Sequence, residues 1–377
     1  MAGQAPRAPG LMPLSAFQPA DYEALFQQKV ERVCGLFNDD QPPTPALYTS
    51  PPEAFRMRAE FRMWHDGDAL DYVMFQPGDP RTPVPISHFP IACAAIQALM
   101  PPLQEHLRGN PILRRKLFQV EFLSTLAGDT LITLIYHRQL DEGWEREARN
   151  LAATLNVALV GRSRKQKVVL SRDYVTEALP VRGQTYHYRQ YEQAFTQPNA
   201  YINSHMLAWA CERAEALTGD LLELYCGNGN FTLPLASCFD QVIATELSKV
   251  STRAALHNLA DNGIDNAQVI RLSAEEVAQA MAGTRAFRRL AKLPKPLADY
   301  KLKTVFVDPP RAGLDEATLK MVSAFPNILY ISCNPETLSA NLAALRASHR
   351  IVDFALFDQF PYTAHMECGV LLQQRMP

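Results

Sequence analysis

The sequence predicts an α/β chain. A doubly wound, Rossmann-like sheet fills the C-terminal half, and a β-rich α+β domain precedes it. Three observations lead there. From about residue 198 onward, short apolar runs alternate with helix-length segments, the pattern of a parallel sheet wrapped by helices. Three of those runs, at 221–225, 304–307 and 328–331, each lead into polar or reactive residues: Gly227-Asn228-Gly229-Asn230, Asp308-Pro309-Pro310-Arg311 and Cys333-Asn334-Pro335. Open α/β sheets build their sites at such carboxyl ends. Upstream, from residue 54 to about 190, the rhythm is that of strands.

At 377 residues the chain is long enough for two domains with separate cores. We place the boundary near residue 190, giving domains at 1–190 and 191–377. No apolar run approaches the ~18 residues of a membrane span. The Pro/Ala-rich residues 1–20 lack the basic start and apolar core of a secretory signal, so a disordered leader and a cytoplasmic protein are expected. The net charge of −2 means that any nucleic-acid role must rest on local basic patches. The seven cysteines (34, 93, 211, 226, 238, 333 and 368) contain no C-x-x-C. That argues against a metal, an iron–sulfur cluster or a disulfide framework.

Residues 39–53 (DDQPPTPALYTSPPE) read as a Pro-rich connector. Next, Phe55, Met57, Ala59, Phe61 and Met63 alternate with Arg56, Arg58, Glu60 and Arg62, a period of two. The turn Asp66-Gly67-Asp68 and the run 71–75 complete a hairpin. Further strands are expected at 118–123, 130–136, 168–170 and 185–188, with a helix over 142–155. A helix over 199–217 opens the second domain. At the C-terminus, 351–360 and 367–373 read as strands joined by Pro361-Tyr362-Thr363-Ala364-His365-Met366. So short a link makes the last strand antiparallel.

The run Glu223-Leu224-Tyr225-Cys226-Gly227-Asn228-Gly229-Asn230 is a glycine loop that lets backbone approach a ligand. The next strand, 242–245, ends in Glu246, 19 residues after Gly227. An acid at that spacing suits the hydroxyls of a ribose. The loop has no third glycine and the chain no Gly-Lys-Ser/Thr for phosphates. A ribose without a pyrophosphate points to S-adenosylmethionine rather than a dinucleotide.

Pro309 and Pro310 stiffen the loop after Asp308, which suits holding a flat substrate. A cysteine on the neighbouring strand then narrows the chemistry. Amine methylation needs no nucleophile, whereas methylation at C5 of a pyrimidine does. C5 of uracil is unreactive until a thiolate adds at C6, and a base must afterwards take the C5 proton. Cys333 is the candidate nucleophile, although many isolated cysteines are small buried hydrophobes. A free thiol is a few per cent ionised near neutral pH, so local activation is expected. The antiparallel last strand starts at the same sheet edge with Glu367, the candidate base; His365 is its rival.

The segments LELYCGNGNFTLPLA, VFVDPPRAGLD, ILYISCNPETLSANL and FDQFPYTAHMECGVLL resemble the motifs of the S-adenosylmethionine-dependent RNA 5-methyluridine methyltransferases. The resemblance spans roughly residues 50–373 and is nearest to the bacterial tRNA-modifying branch, which makes ribothymidine in the T-loop. It implies Cys333 as nucleophile, Glu367 as proton acceptor, and Gln197, Tyr225, Asn230, Glu246 and Asp308 as cofactor positions. Relatives acting on ribosomal RNA typically carry a four-cysteine iron–sulfur motif, which the cysteine spacing here excludes. The partner is then the T-arm of tRNA or a tRNA-like structured RNA, with no obligate protein partner implied. A uridine in a folded T-loop must be extruded before its C6 can be reached. Arg56, Arg58 and Arg62 are expected to meet the RNA, with Arg162–Lys167 and 285–303 as further basic stretches. The same chemistry on ribosomal RNA, an amine N-methyltransferase with Cys333 incidental, and a non-catalytic RNA-binding or folding protein are the alternatives.

Overall fold

The structure, a computed structural model, describes residues 17–76 and 79–375. The expectation of a disordered 1–20 therefore meets it only at 17–20, whose last two residues open a turn of 3-10 helix (Pro19–Asp21); residues 1–16 lie outside the described residues. In chain order the elements begin α1 (Tyr22–Gly35), β1 (Ala46–Tyr48), β2 (Arg58–Asp66), β3 (Ala69–Gln76), β4 (Asp79–Pro85), α2 (Ala94–Gly109) and α3 (Pro111–Arg114). Next come β5 (Leu117–Leu123), β6 (Leu131–Tyr136), α4 (Glu142–Leu155), β7 (Ala158–Ser163), β8 (Gln166–Val169), β9 (Tyr174–Val181) and β10 (Gln184–Tyr191). The remainder are α5 (Ala200–Ala214), β11 (Asp220–Leu224), α6 (Thr232–Leu235), β12 (Val242–Thr245), α7 (Lys249–Asp261), β13 (Ala267–Ile270) and α8 (Ala274–Met281). The chain closes with β14 (Leu302–Val307), α9 (Glu316–Val322), β15 (Asn327–Ser332), α10 (Pro335–Leu345), β16 (His349–Phe357) and β17 (Glu367–Gln374).

Two compact units result. One holds the described residues up to Leu25, Pro51–Val175 and Pro361–Ala364; the other holds Phe26–Ser50, Thr176–Phe360 and from His365 on. A single cut near residue 190 differs in three ways: the main boundary falls at Val175/Thr176, so 176–190 belong to the second unit, and there are two excursions. Residues 26–50, expected on the N-terminal side, pack in the second unit, and 361–364 return to the first.

The first unit is built on a seven-stranded sheet in the order β4-β3-β2-β5-β6-β7-β8. The period of two in β2 is the cause: Ala59, Phe61 and Met63 are buried, and Phe61 packs edge-on against Phe89 and Phe122. On the opposite face Arg62 is exposed; its guanidinium lies 3.5 Å from the centre of the Phe118 ring, which stacks on His137 at 4.0 Å. Arg56 departs from the expected arginine face. It precedes β2 in a bridge to Ala92, is half-buried, and donates from Nε to the Arg58 carbonyl at 2.8 Å. Periodicity alone cannot see that bridge, because Ala92 is remote in sequence. Arg58 is half-buried as well.

The second unit is an eight-stranded sheet in the order β1-β16-β17-β15-β14-β11-β12-β13. The strands from β15 through β14, β11 and β12 to β13 are parallel, and β17 runs antiparallel between β15 and β16. The three-residue β1, inside the stretch expected to be only a connector, pairs with β16 at the sheet edge. The chain runs from β11 outward through β12 and β13, then returns to place β14 on the other side of β11. That reversal leaves a crevice at the carboxyl ends of β11 and β14. Gly369 in β17 is required by packing: a Cβ there would come within 2.9 Å of the buried Trp209 ring.

Candidate active site

At the switch point the loop after β11 is held in a strained form. Tyr225 adopts φ 61° and Gly229 φ 85°, and a Cβ on Gly229 would meet Leu233 at 2.9 Å. An aromatic residue in the left-handed region is costly and persists where its surroundings enforce it. Gly227, also at positive φ, has open space where a side chain would stand. Its N–H donates to Glu246 Oε2 at 3.1 Å, and Ser248 N donates to the other oxygen at 2.6 Å. The carboxylate is thereby fixed beside the glycine loop, as its spacing suggested. Asn230 forms a reciprocal amide pair with Asn203 of α5, both bonds 2.9 Å, while Tyr188 donates to its carbonyl. Gln197, half-buried just before α5, accepts from Gln359 Nε2 at 2.7 Å. Open space at Gly227 beside a pinned carboxylate and paired amides fits an adenosine-type cofactor.

Asp308 follows β14 directly, one residue past the pairing of Val307 with Tyr330. The loop that follows is tied down: Gly313 N donates to the Pro310 carbonyl, and Asn341 Oδ1 accepts from both Leu314 N and Tyr330 OH. The Cys333 loop is equally ordered. Ser332 and Asn334 exchange hydrogen bonds around the cysteine, Asn334 caps α10, and its Nδ2 donates to the Arg311 carbonyl at 3.0 Å.

The antiparallel register brings the two expected reactive groups together. Ser332 pairs with Cys368 and Ile331 with Gly369, so the same register carried one step on sets Cys333 across from Glu367. Glu367 is 3% exposed, and its Oε2 has no hydrogen-bond partner among the described residues. Burial, and then the nearby Asp308, hold its pKa well above the ordinary carboxylate range. Burial pushes Asp308 up to about 7. Burial first, then Glu367 and Asp308, push the Cys333 thiol up to about 12, with Arg311 opposing. In the free site burial and the neighbouring acids disfavour the Cys333 thiolate, and Arg311 favours it. His365 lies at the same edge, 3.3 Å from Arg311 Nη2, and burial, then Arg311, lower its pKa.

Sequence reasoning passed over Glu223, Asn203, Arg311 and Gln359. Glu223 could have been found, because a carboxylate inside the apolar strand Leu221–Leu224 has to be buried. It is 1% exposed, and burial raises its pKa to about 8, Thr232 opposing and Asp308 adding. Its folded pKa lies above the unfolded value near ~4.3, so the native state binds the proton more tightly. Stability is then lost as pH rises from the unfolded value toward about 8. We expect thermal melts of Glu223→Gln to show a flatter decline across that window than those of the parent chain. Parallel curves would mean that Glu223 does not titrate there.

A doubly wound sheet with an acid beside its first glycine loop and an antiparallel strand next to the end is the architecture of Rossmann-like methyltransferases. Residues 21–375 match the family model described as tRNA (Uracil-5-)-methyltransferase. The chain belongs to that family. It is 53% identical over 364 residues to a tRNA/tmRNA (uracil-C(5))-methyltransferase of Aromatoleum aromaticum, covering 97% of this chain and 98% of the relative. An Ectopseudomonas mendocina protein of the same description is 54% identical over 364 residues, covering 97% and 100%. Among solved structures, the Pyrococcus abyssi tRNA (uracil-54, C5)-methyltransferase in complex with S-adenosyl-L-homocysteine shares the fold. Its TM-score is 0.71 at 18% identity, over 93% of this chain and 83% of that one. Among the described residues no helix is long and apolar enough to cross a membrane, and no cluster of His, Cys, Asp or Glu is placed to hold a metal.

Proposed function

We propose that this chain methylates C5 of a uridine in the T-loop of tRNA, the uracil-54 position of its structural relative, using S-adenosylmethionine. The observation that carries the reading is the β15–β17 register, which carried one step on sets Cys333 across from Glu367, with Asp308 near enough to raise the pKa of both. When bound, the cofactor supplies an electrophilic methyl group. Glu246 is suited to its ribose hydroxyls, with Gln197, Tyr225, Asn230 and Asp308 around the remainder. The Cys333 sulfur forms a bond to C6, which makes C5 an enolate carbon able to take the methyl. Glu367 then removes the C5 proton, and the electron pair left behind expels the thiolate. A carboxylate whose pKa is raised is a stronger base, which suits that last step. His365, the rival base, has its pKa lowered by burial and then by Arg311. Because burial and the acids disfavour the thiolate in the free site, the thiol proton passes to solvent as the uridine docks and the sulfur bonds to C6.

On the first unit, the exposed Arg62 stacked on Phe118 and His137 suits RNA, which is commonly read by aromatic and guanidinium stacking. Arg62→Ala is expected to weaken tRNA binding and reduce the slope of log affinity against log salt by about one. Arg56→Ala, at a half-buried position, is expected to leave the slope unchanged. A salt titration of tRNA affinity for both variants checks this. The relatives' names also include tmRNA, which carries the reading to tRNA-like structured RNA.

The test is methyl transfer from labelled S-adenosylmethionine to an unmodified T-arm hairpin and to ribosomal RNA in parallel. Label recovered as 5-methyluridine in the hairpin alone is the expected result. Label only in ribosomal RNA would overturn the tRNA assignment and keep the chemistry. Label in neither would favour a binding or folding role.

A further inference from the structure

The most unusual side chain outside the reacting pair is a lysine near the N-terminus. Lys29, on α1, is 7% exposed and pairs with Asp358, which is 0% exposed. Its ammonium also donates to the carbonyls of Phe360 at 3.1 Å and His365 at 3.0 Å. An ammonium has three donors, and all three are spent on the link between β16 and β17. Burying a cation is costly unless its partners are this complete.

The same helix reaches the helix that follows Cys333. One turn beyond Lys29, Arg32 pairs with Glu336 at 2.8 Å, in the first turn of α10 and three residues after Cys333. Ser339 of α10 donates to the Leu36 carbonyl at 3.0 Å. Between the residues Lys29 holds, Gln359 reaches Gln197 at 2.7 Å. One amino-terminal helix thus touches the helix after the cysteine and the link that leads into Glu367.

We infer that Lys29 is a positioning residue of the reaction: by fixing Asp358, Phe360 and His365 it sets where β17 begins, and so where the Glu367 carboxylate stands relative to the C5 proton. This rests on the roles proposed for Cys333 and Glu367. The two carbonyls complete the ammonium's partners and also lie on either side of the link, at Phe360 and at His365. Holding the backbone on both sides of the link is what a positioning role requires.

The test uses the full chain with a T-arm hairpin and S-adenosylmethionine, comparing Lys29→Met, the double variant Lys29→Met/Asp358→Asn, and Glu367→Gln. Lys29→Met alone takes the ammonium away from the buried Asp358, so it is expected to lose thermal stability; removing both charges should restore most of it. In the double variant kcat is expected to fall roughly 10- to 100-fold, as misplacement of a reacting group by about 1 Å does. The KM for the hairpin should fall with it, because the covalent complex accumulates ahead of the slowed step. The share of protein in a denaturation-resistant RNA complex should rise, because release is the slowed step. A double variant with restored melting temperature and parental kcat and complex level would reduce Lys29 to a stabilising ion pair. If Glu367→Gln stalls while the double variant behaves as the parent, the inference falls and the proposed mechanism stands. If Glu367→Gln itself turns over normally, both fall. Should the double variant fail to fold, Lys29→Arg keeps the charge but replaces three divergent donors with a planar fork. It should raise the complex level at a near-parental melting temperature, and parental turnover and complex level there would overturn the inference.

Discussion

Cys333→Ala is expected to reduce methyl transfer by roughly 10^4- to 10^6-fold, the scale of removing a covalent nucleophile. Without sulfur at that position no bond to C6 forms, and C5 keeps the low reactivity of an uncharged uracil. The fold should be little affected. Cys333 is half-buried in a loop whose order comes from Ser332, Asn334 and Arg311, so a change in stability under about 1 kcal/mol is expected. Hairpin affinity should therefore persist while turnover vanishes, which single-turnover transfer and equilibrium binding can separate. Retained activity would revive the amine-methylation reading, in which the cysteine is incidental.

Glu367→Gln should behave differently, and the contrast is informative. The amide keeps the size of the buried side chain but cannot take a proton. Attack by Cys333 and methyl transfer both precede proton removal, so they should still occur. Turnover is expected to drop by about 10^2- to 10^4-fold, the usual contribution of a general base. The methylated adduct should build up and survive denaturing electrophoresis. Normal turnover would move the role to His365, which shares the edge but whose pKa burial and Arg311 lower.

The features that were legible in the sequence are those in which local pattern and chemistry coincide. Gly227 and Gly229 announce a tight loop, and Glu246 follows at a strand end; the structure joins them through the Gly227 N–H. The six-residue link before Glu367 required an antiparallel strand, and that register sets the acid across from Cys333. What stayed hidden depends on partners remote in sequence. Lys29 and Asp358 are 329 residues apart, and Gln197 meets Gln359 across 162. Nothing local in α1 reveals that it belongs with the catalytic sheet. Arg56 reads as one more outward arginine until its bridge to Ala92 is known. The setting of the Cys333 thiol was equally out of reach, since the two acids that raise its pKa, Asp308 and Glu367, come from separate strand ends.

The central claim is that one cysteine carries the uridine through methylation and one carboxylate releases it. The most direct test is to isolate the complex that Glu367→Gln forms with a T-arm hairpin and S-adenosylmethionine, digest protein and RNA, and map the cross-linked peptide by mass spectrometry. The account predicts a single cross-linked peptide containing Cys333 and bearing a uridine that has already gained one methyl group. An adduct on another residue, an unmethylated nucleotide in the complex, or no covalent complex at all would contradict it.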